Sequence, residues 1–198
     1  RNNLLYFHEV DILQSRAPKH CKLMAMDLET FQVSELATSN AVNWQLGSRL
    51  QVCEDDIVFN DCSSGKLVHK IINLMDETET ICHFPFWLKS KEFNLTFSID
   101  FERLWAERQG YGYFGTMPRG LKDSLAILDY SGTTILRIIK IDQIVNVLHF
   151  PEGGYLNHVI ANENYSSILT TYNIEKRGKR LVLPVIYNIR EIRHILSY

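Results

Sequence analysis

Apolar runs of four to eight residues, each closed by a polar turn, recur along the whole chain and predict strands joined by tight connections. Leu4–Ile12 and Cys21–Leu28 are two such runs, and Asp27-Leu28-Glu29-Thr30 turns the second into Gln32–Leu36. The same phrase of strand, polar turn and shorter strand returns as Leu67–Leu74 with Glu79–His83, and as Leu125–Tyr130 with Thr134–Ile138. It closes the chain as Leu181–Tyr187 with Ile189–Leu196. Between the first two units, Ser48–Val52 and Ile57–Asn60 flank the acidic turn Cys53-Glu54-Asp55-Asp56 and predict a hairpin. A recurrence of roughly 45 to 60 residues is the period of four-stranded blades. The expected fold is therefore all-β: a β-propeller of four-stranded antiparallel blades, about four of them, the first lacking its innermost strand. Leu67–Leu74, Leu125–Tyr130 and Leu181–Tyr187 are expected to be equivalent middle strands. A ring this small leaves an apolar sheet face open, so the expectation is a part of a larger ring or closure by another copy.

One stretch breaks the pattern. Residues 100–122 form an insertion within this single domain of residues 1–198. In it Phe101, Leu104 and Trp105 have helical spacing, which predicts a turn or two of helix. Gly110, Gly112 and Gly115 then alternate with Tyr111, Tyr113 and Phe114, giving backbone freedom where aromatic rings are presented. Long insertions in compact domains are frequent carriers of function.

Composition narrows the partners more than the chemistry. Of 198 residues, 45% are hydrophobic and 22% charged, enough for a globular core. A net charge of -2 gives no basic footprint for nucleic acid. No apolar run reaches the ~20 residues of a membrane span. The basic cluster Lys176–Arg180 reads as a solvated hairpin turn rather than a phosphate patch. Four cysteines, without a C-x-x-C pair, read as reduced thiols, which favours a cytoplasmic setting. The sequons at Asn94 and Asn164 fall in expected strands.

Two phrases carry a resemblance. N-W-Q-L-G-S-R-L-Q at Asn43–Gln51, with F-N-D at Phe59–Asp61, resembles the N-W-Q-Q-G-x-x-L-Q-W…Y-N-D phrase of a bacterial family of uncharacterised β-propeller proteins. F-E-R-L-W-A-E-R-Q-G-Y-G-Y at Phe101–Tyr113 is similar to that family's F-E-R-L…R-P-G-Y-G-Y, and Asn157-His158 matches a later N-H. Val52 replaces the family's Trp, and Arg108-Gln109-Gly110 its R-P-G. The usual F-N-P-D-G after N-H is replaced by Ile160–Asn164. The resemblance implies a propeller fold and an association with polysaccharide biosynthesis. More distantly it is similar to the oligogalacturonide lyases, which hold a divalent metal through histidines and a glutamine.

The candidate ligand-binding residues are Asn43, Trp44, Gln45, Arg49, Glu102, Arg103, Arg108, Tyr111, Tyr113 and His158. Arginine forks suit carboxylates, and aromatic faces suit sugar rings. Against this stand plainer roles: an ion-pair ladder for Glu102, Arg103, Glu107 and Arg108, and blade packing for Trp44, Trp105, Tyr111 and Tyr113. Of seven histidines, none stand at metal-binding intervals on one element. His158, His149 and Gln45 remain the set that separate blades could bring together, or His158 serves to order a blade by bonding neighbouring backbone. The first expectation is a non-catalytic binding module or scaffold without cofactor, recognising a glycan or protein. The second is a metal-assisted carbohydrate-active enzyme such as a polysaccharide lyase, using an ion such as Mn. Asn43–Arg49 and Glu102–Tyr113 are expected to meet in one rim. An Arg–carboxylate pair, through Glu102, Glu107 or Asp61, is expected between them.

Overall fold

A computed structural model describes residues 3–11, 18–108, 110–176 and 178–189. Fourteen strands form four separate antiparallel sheets in chain order. The first sheet holds β1 (Leu4–Glu9), β2 (Cys21–Asp27) and β3 (Val33–Ser39). The second is β4 (Gln51–Cys53), β5 (Asp56–Ser63), β6 (Lys66–Asn73) and β7 (Glu79–Cys82). The third is β8 (Leu88–Ser90), β9 (Leu95–Ile99), β10 (Ser124–Leu128) and β11 (Ile135–Lys140). The fourth holds β12 (Tyr155–Ala161), β13 (Ser167–Lys176) and β14 (Lys179–Asn188). Each sheet is a meander, and each packs on the next: β3 on β5, β4 on β8, β9 on β12. Successive meanders packed face to face in this way are the blades of a β-propeller.

The expected middle strands lie in β6, β10 and β14, the third position of three different blades. The turns that follow β2, β6 and β10 have a shared cause. Asp27, Asn73 and Asp129 each accept from backbone N–H groups two to five residues on, through one side-chain oxygen. Such Asx turns reverse the chain without a ladder. Blade 1 has three strands, as expected of a blade without its innermost one. Ile189–Leu196, expected as the last outer strand, lies outside the described residues from position 190 onward.

Several boundaries move. Ser48–Val52 shortens to Gln51–Cys53, because Arg49 is in the left-handed region (φ +58°) and Leu46 O holds its N–H in a turn. Asn94 and Asn164 sit in turns rather than strands. The insertion begins with α1 (Phe101–Glu107), whose N-cap Asp100 accepts from the Arg103 N–H. A second helix, α2 (Ile141–Leu148), was not anticipated, although Ile141, Ile144 and Val145 bury one stripe of it. Among the described residues no helix is long and apolar enough to cross a membrane.

The main core is centred on blade 3, where every residue of β9 and β10 is buried against α1, Trp87 and Tyr172. A smaller core of Cys21, Leu23, Val42, Ile57 and Phe59 joins blades 1 and 2. All four cysteines are free thiols.

Candidate ligand-binding rim

The two phrases singled out in the sequence meet. Asn43 Nδ2 donates to Gly112 O at 3.0 Å, and the Gln45 N–H donates to Gly110 O at 3.3 Å. Asn43 also accepts from the Gln45 and Leu46 N–H groups, so this buried amide folds its own loop and ties it to the insertion. Gly112 makes the approach possible. A Cβ there would stand 2.0 Å from the backbone nitrogen of Trp105, in α1. Two residues on either side of it then diverge: Tyr113 goes inward and stacks on Phe101 at 4.9 Å, while Tyr111 faces the rim.

The rim itself is a chain of rings and guanidinium groups. Arg49 lies over the Trp87 indole, 5.1 Å from its centroid, and its Nε donates to Trp87 O at 2.6 Å. The edge of Trp87 meets the His158 imidazole at 5.7 Å, and His158 meets Tyr111 at 5.6 Å. Arg108 covers Tyr111 at 4.5 Å. Cation–π contacts of this kind are worth roughly 0.5–2 kcal/mol each, depending on desolvation. Arg180, on β14, reaches across to Asn173 Oδ1 at 2.5 Å. Asn173 is the β-ladder partner of Tyr155 on β12.

His158 owes its position to a bulge. The β12–β13 register shifts between Asn157 and Val159, and His158 has φ +60°. A non-glycine residue in the left-handed region costs about 1–2 kcal/mol, and so does Arg49 on the same account. Bulges re-aim side chains, and strain of this sort gathers where a fold presents a site. Burial, and then Arg180, Arg108 and Arg49, hold the His158 pKa below its usual value. Arg49 is itself lowered by burial.

The rim's charges are unbalanced. Among the described residues no carboxylate stands within ion-pair distance of Arg49, Arg108 or Arg180. The expected Arg–carboxylate pair between the two phrases is therefore not formed. The acids face elsewhere: Asp61 pairs with Lys70 at 3.3 Å. Glu102 accepts from the Met117 N–H at 2.8 Å and from Lys122 Nζ at 3.1 Å. Arg103 is paired with Asp123. Glu102 and Arg103 thus fasten α1 to residues 117–123. Two cations ~8 Å apart repel by about 2 kcal/mol at an effective dielectric of ~20. Rings and backbone carbonyls, rather than acids, temper that repulsion here.

Among the described residues, three buried polar atoms near the rim lack partners. They are the Tyr155 hydroxyl, Asn157 Nδ2 and the Tyr113 hydroxyl, which lies beside the Asn60 amide without a well-aligned bond. Tyr155 is buried, and its electrostatic neighbours are Arg180, Arg108, Glu107 and Glu175. Asn157 Oδ1 is satisfied by the His158 N–H at 3.0 Å. Trp44 is 47% exposed and Gln45 is exposed, so both border the rim's outer side.

Sequence reasoning missed Trp87, Tyr155 and Arg180. The first follows Phe84-Pro85-Phe86 and reads as an ordinary apolar run. Arg180 reads as part of a charged hairpin, because nothing local shows that its side chain crosses β13.

His149 is an exposed residue capping α2, whereas His158 is among rings and arginines. Among the described residues no group of three or more His, Cys, Asp or Glu could hold a metal ion. The cationic surroundings of His158 also oppose a divalent ion.

No protein family and no curated protein matches the chain. Solved structures do. The chain is similar to TolB from Acinetobacter baumannii, with 11% identity and a TM-score of 0.48 over 92% of this chain and 41% of that one. It is similar to the β-propeller domain of the Trilobed protease from Pyrococcus furiosus, with 12% identity and a TM-score of 0.49 over 95% and 51%. A third likeness is to the dihydro-heme d1 dehydrogenase NirN, with 13% identity and a TM-score of 0.42 over 94% and 45%. The chain thus spans about half or less of the length of each.

Proposed function

We propose that the chain is a non-catalytic binding module or scaffold whose rim holds a glycan or a protein segment. The observation that carries this reading is the meeting of Asn43–Arg49 with the Gly110–Tyr113 loop. It gathers Arg49, Trp87, Arg108, Tyr111 and His158 at one place from three blades. The half-buried rings of Tyr111 and His158 beside guanidinium groups, backed by the buried Trp87, present flat apolar faces and forked donors together, the two elements of sugar and peptide recognition. Trp44 adds an exposed indole at the edge.

The alternative, a metal-assisted carbohydrate-active enzyme, needs imidazoles or carboxylates around an ion, and the rim offers cations instead. Metal analysis of purified protein tests it, because stoichiometric manganese or zinc would restore that reading. The module reading is tested by titrating panels of oligosaccharides and peptides while following tryptophan fluorescence. Saturable binding that Trp44→Ala and Tyr111→Ala weaken, at an unchanged melting temperature, is the expected result. Binding that neither change affects, or chemical turnover of a bound glycan, would reject it.

A further inference from the structure

We propose that the rim's anchor is an oxyanion site, in which Arg108, Arg180 and the His158 imidazole, with the Tyr155 hydroxyl of the same strand as His158, take a carboxylate or phosphate group of the ligand. This deepens the binding-module reading and rests on it for the ligand's remaining contacts.

The argument is geometric. Arg108 is fixed over Tyr111, Tyr111 is set against His158, and His158 against Trp87, so the imidazole is held among rings. Arg180 approaches from β14 and is oriented by Asn173. Guanidinium groups that make no ion pair among the described residues are a standing field for an anion, and their planar forks bind two oxygens at once. A second observation points the same way. The Tyr155 hydroxyl is buried without a hydrogen-bond partner, on the strand that carries His158 and with Arg108 and Arg180 as electrostatic neighbours. Such a group is rare in a folded chain, and a bound oxyanion supplies the acceptor it lacks. His158 is half-buried, so the centre of the cluster is reachable.

The charged and titratable groups facing His158 come from every neighbouring element. They are Arg49 before β4, Arg108 at the end of α1, Tyr111 in the insertion loop and Arg180 on β14. Arg180, Arg108, Glu107 and Glu175 act on Tyr155, on the same strand as His158. An anion seated among them reverses the local potential, and the imidazole then holds its proton more tightly.

The experiment is an NMR pH titration of the His158 ring, with sodium acetate and inorganic phosphate as separate probes at tens of millimolar. Binding should raise the His158 pKa by about one unit. Arg108→Gln and Arg180→Gln should each weaken the effect about tenfold, the loss typical of one charge-assisted bond. Lys22→Gln, on blade 1, should not. The probe with the lower dissociation constant identifies the group. A His158 pKa that neither ion moves, or one that moves as far in both arginine variants as in the parent protein, overturns the proposal. Neutral sugars that bind the rim as tightly as their uronic acids, leaving His158 unmoved, would overturn it while the module reading stands. Ion binding at His158 without any glycan or peptide ligand would do the reverse.

Discussion

The seam between blades 2 and 3 and the rim where blade 4 joins them are both polar and both largely buried, yet they treat their polar groups in opposite ways. In the seam the amide side chains that bridge the blades are matched. Asn60 donates to Phe86 O and accepts from the Phe86 N–H, both at 2.8 Å. Gln51 does the same to Lys89, at 2.6 and 3.0 Å. Each amide imitates a strand, closing two backbone groups that a blade edge would otherwise leave open. Even the buried Lys89 is met, by His69 Nε2 at 2.8 Å, Tyr130 O at 2.5 Å and the Tyr130 ring. Its donation fixes the tautomer, so His69 Nδ1–H donates to Phe84 O at 2.5 Å. At the rim, by contrast, Tyr155 and Asn157 keep unpartnered atoms and the arginines keep unpaired charge. Matched buried groups hold blades together. Unmatched ones lower stability, and a fold retains them where something else completes them.

The largest expected effect is on the matched side. Asn60→Ala leaves the Phe86 N–H and carbonyl buried without partners, at about 1–3 kcal/mol apiece. A loss of about 4 kcal/mol in urea unfolding is expected, with Asn60→Asp only partly restoring it. A loss below about 1 kcal/mol would mean the clip is ornamental, and the contrast between seam and rim would dissolve.

The second effect is on pH dependence. Burial, and then Lys89, press the His69 pKa down to about 3 from 6.5. Unfolded chains therefore bind a proton that the folded one refuses between those values, and stability falls as pH drops from 6.5 toward 3. The loss by pH 4 is on the order of 3 kcal/mol. Lys89 runs at the other end: burial lowers its pKa to about 8 from 10.5, so stability rises as pH climbs from 8 to 10.5. Equilibrium unfolding across that range checks both limbs, and His69→Gln should flatten the acid one. An acid limb equally steep in His69→Gln would assign it to carboxylates instead.

How much of this was readable in the sequence follows the same division. The blades were, because strand period and Asx turns at Asp27, Asn73 and Asp129 are local signals. The joining of Asn43–Arg49 to Glu102–Tyr113 was readable as geometry, since Arg49 leads into the inner strand of one blade and Phe101 follows a strand of the next. Its chemistry was not. Glu102, Glu107 and Asp61 looked available as partners for the rim arginines, but Glu102 and Asp61 are taken by nearer residues after the chain folds. Arg180 and Tyr155 are distant from both phrases along the chain, and only the β12–β13–β14 register brings them over. The α2 stripe was present at Ile141, Ile144 and Val145, but its strand-like composition hid it.

A third effect, of about 2 kcal/mol, is expected where the two regions are linked. Gly112→Ala forces a Cβ against the Trp105 backbone, which cannot rotate away, so the loop must lift. The Asn43–Gly112 bond should be lost with it, and rim binding should fall further than stability alone explains. Loss of stability with rim binding intact would separate the loop from the site.

The smallest effect is the most discriminating. Tyr155→Phe removes a hydroxyl that has no partner, so the folded chain gives up no hydrogen bond and sheds a desolvated polar group. Unfolding midpoints should stay within about 0.5 kcal/mol of the parent or rise slightly, because deleting an unsatisfied atom is neutral or favourable. Burial already raises the pKa of this phenol, so it stays protonated at neutral pH and acts only as a donor. The change should therefore be silent in the free protein and visible only with an anion present, as a smaller rise of the His158 pKa. A clear loss of stability instead, on the scale of Asn60→Ala, would mean that the hydroxyl is matched after all. The rim would then be a second seam.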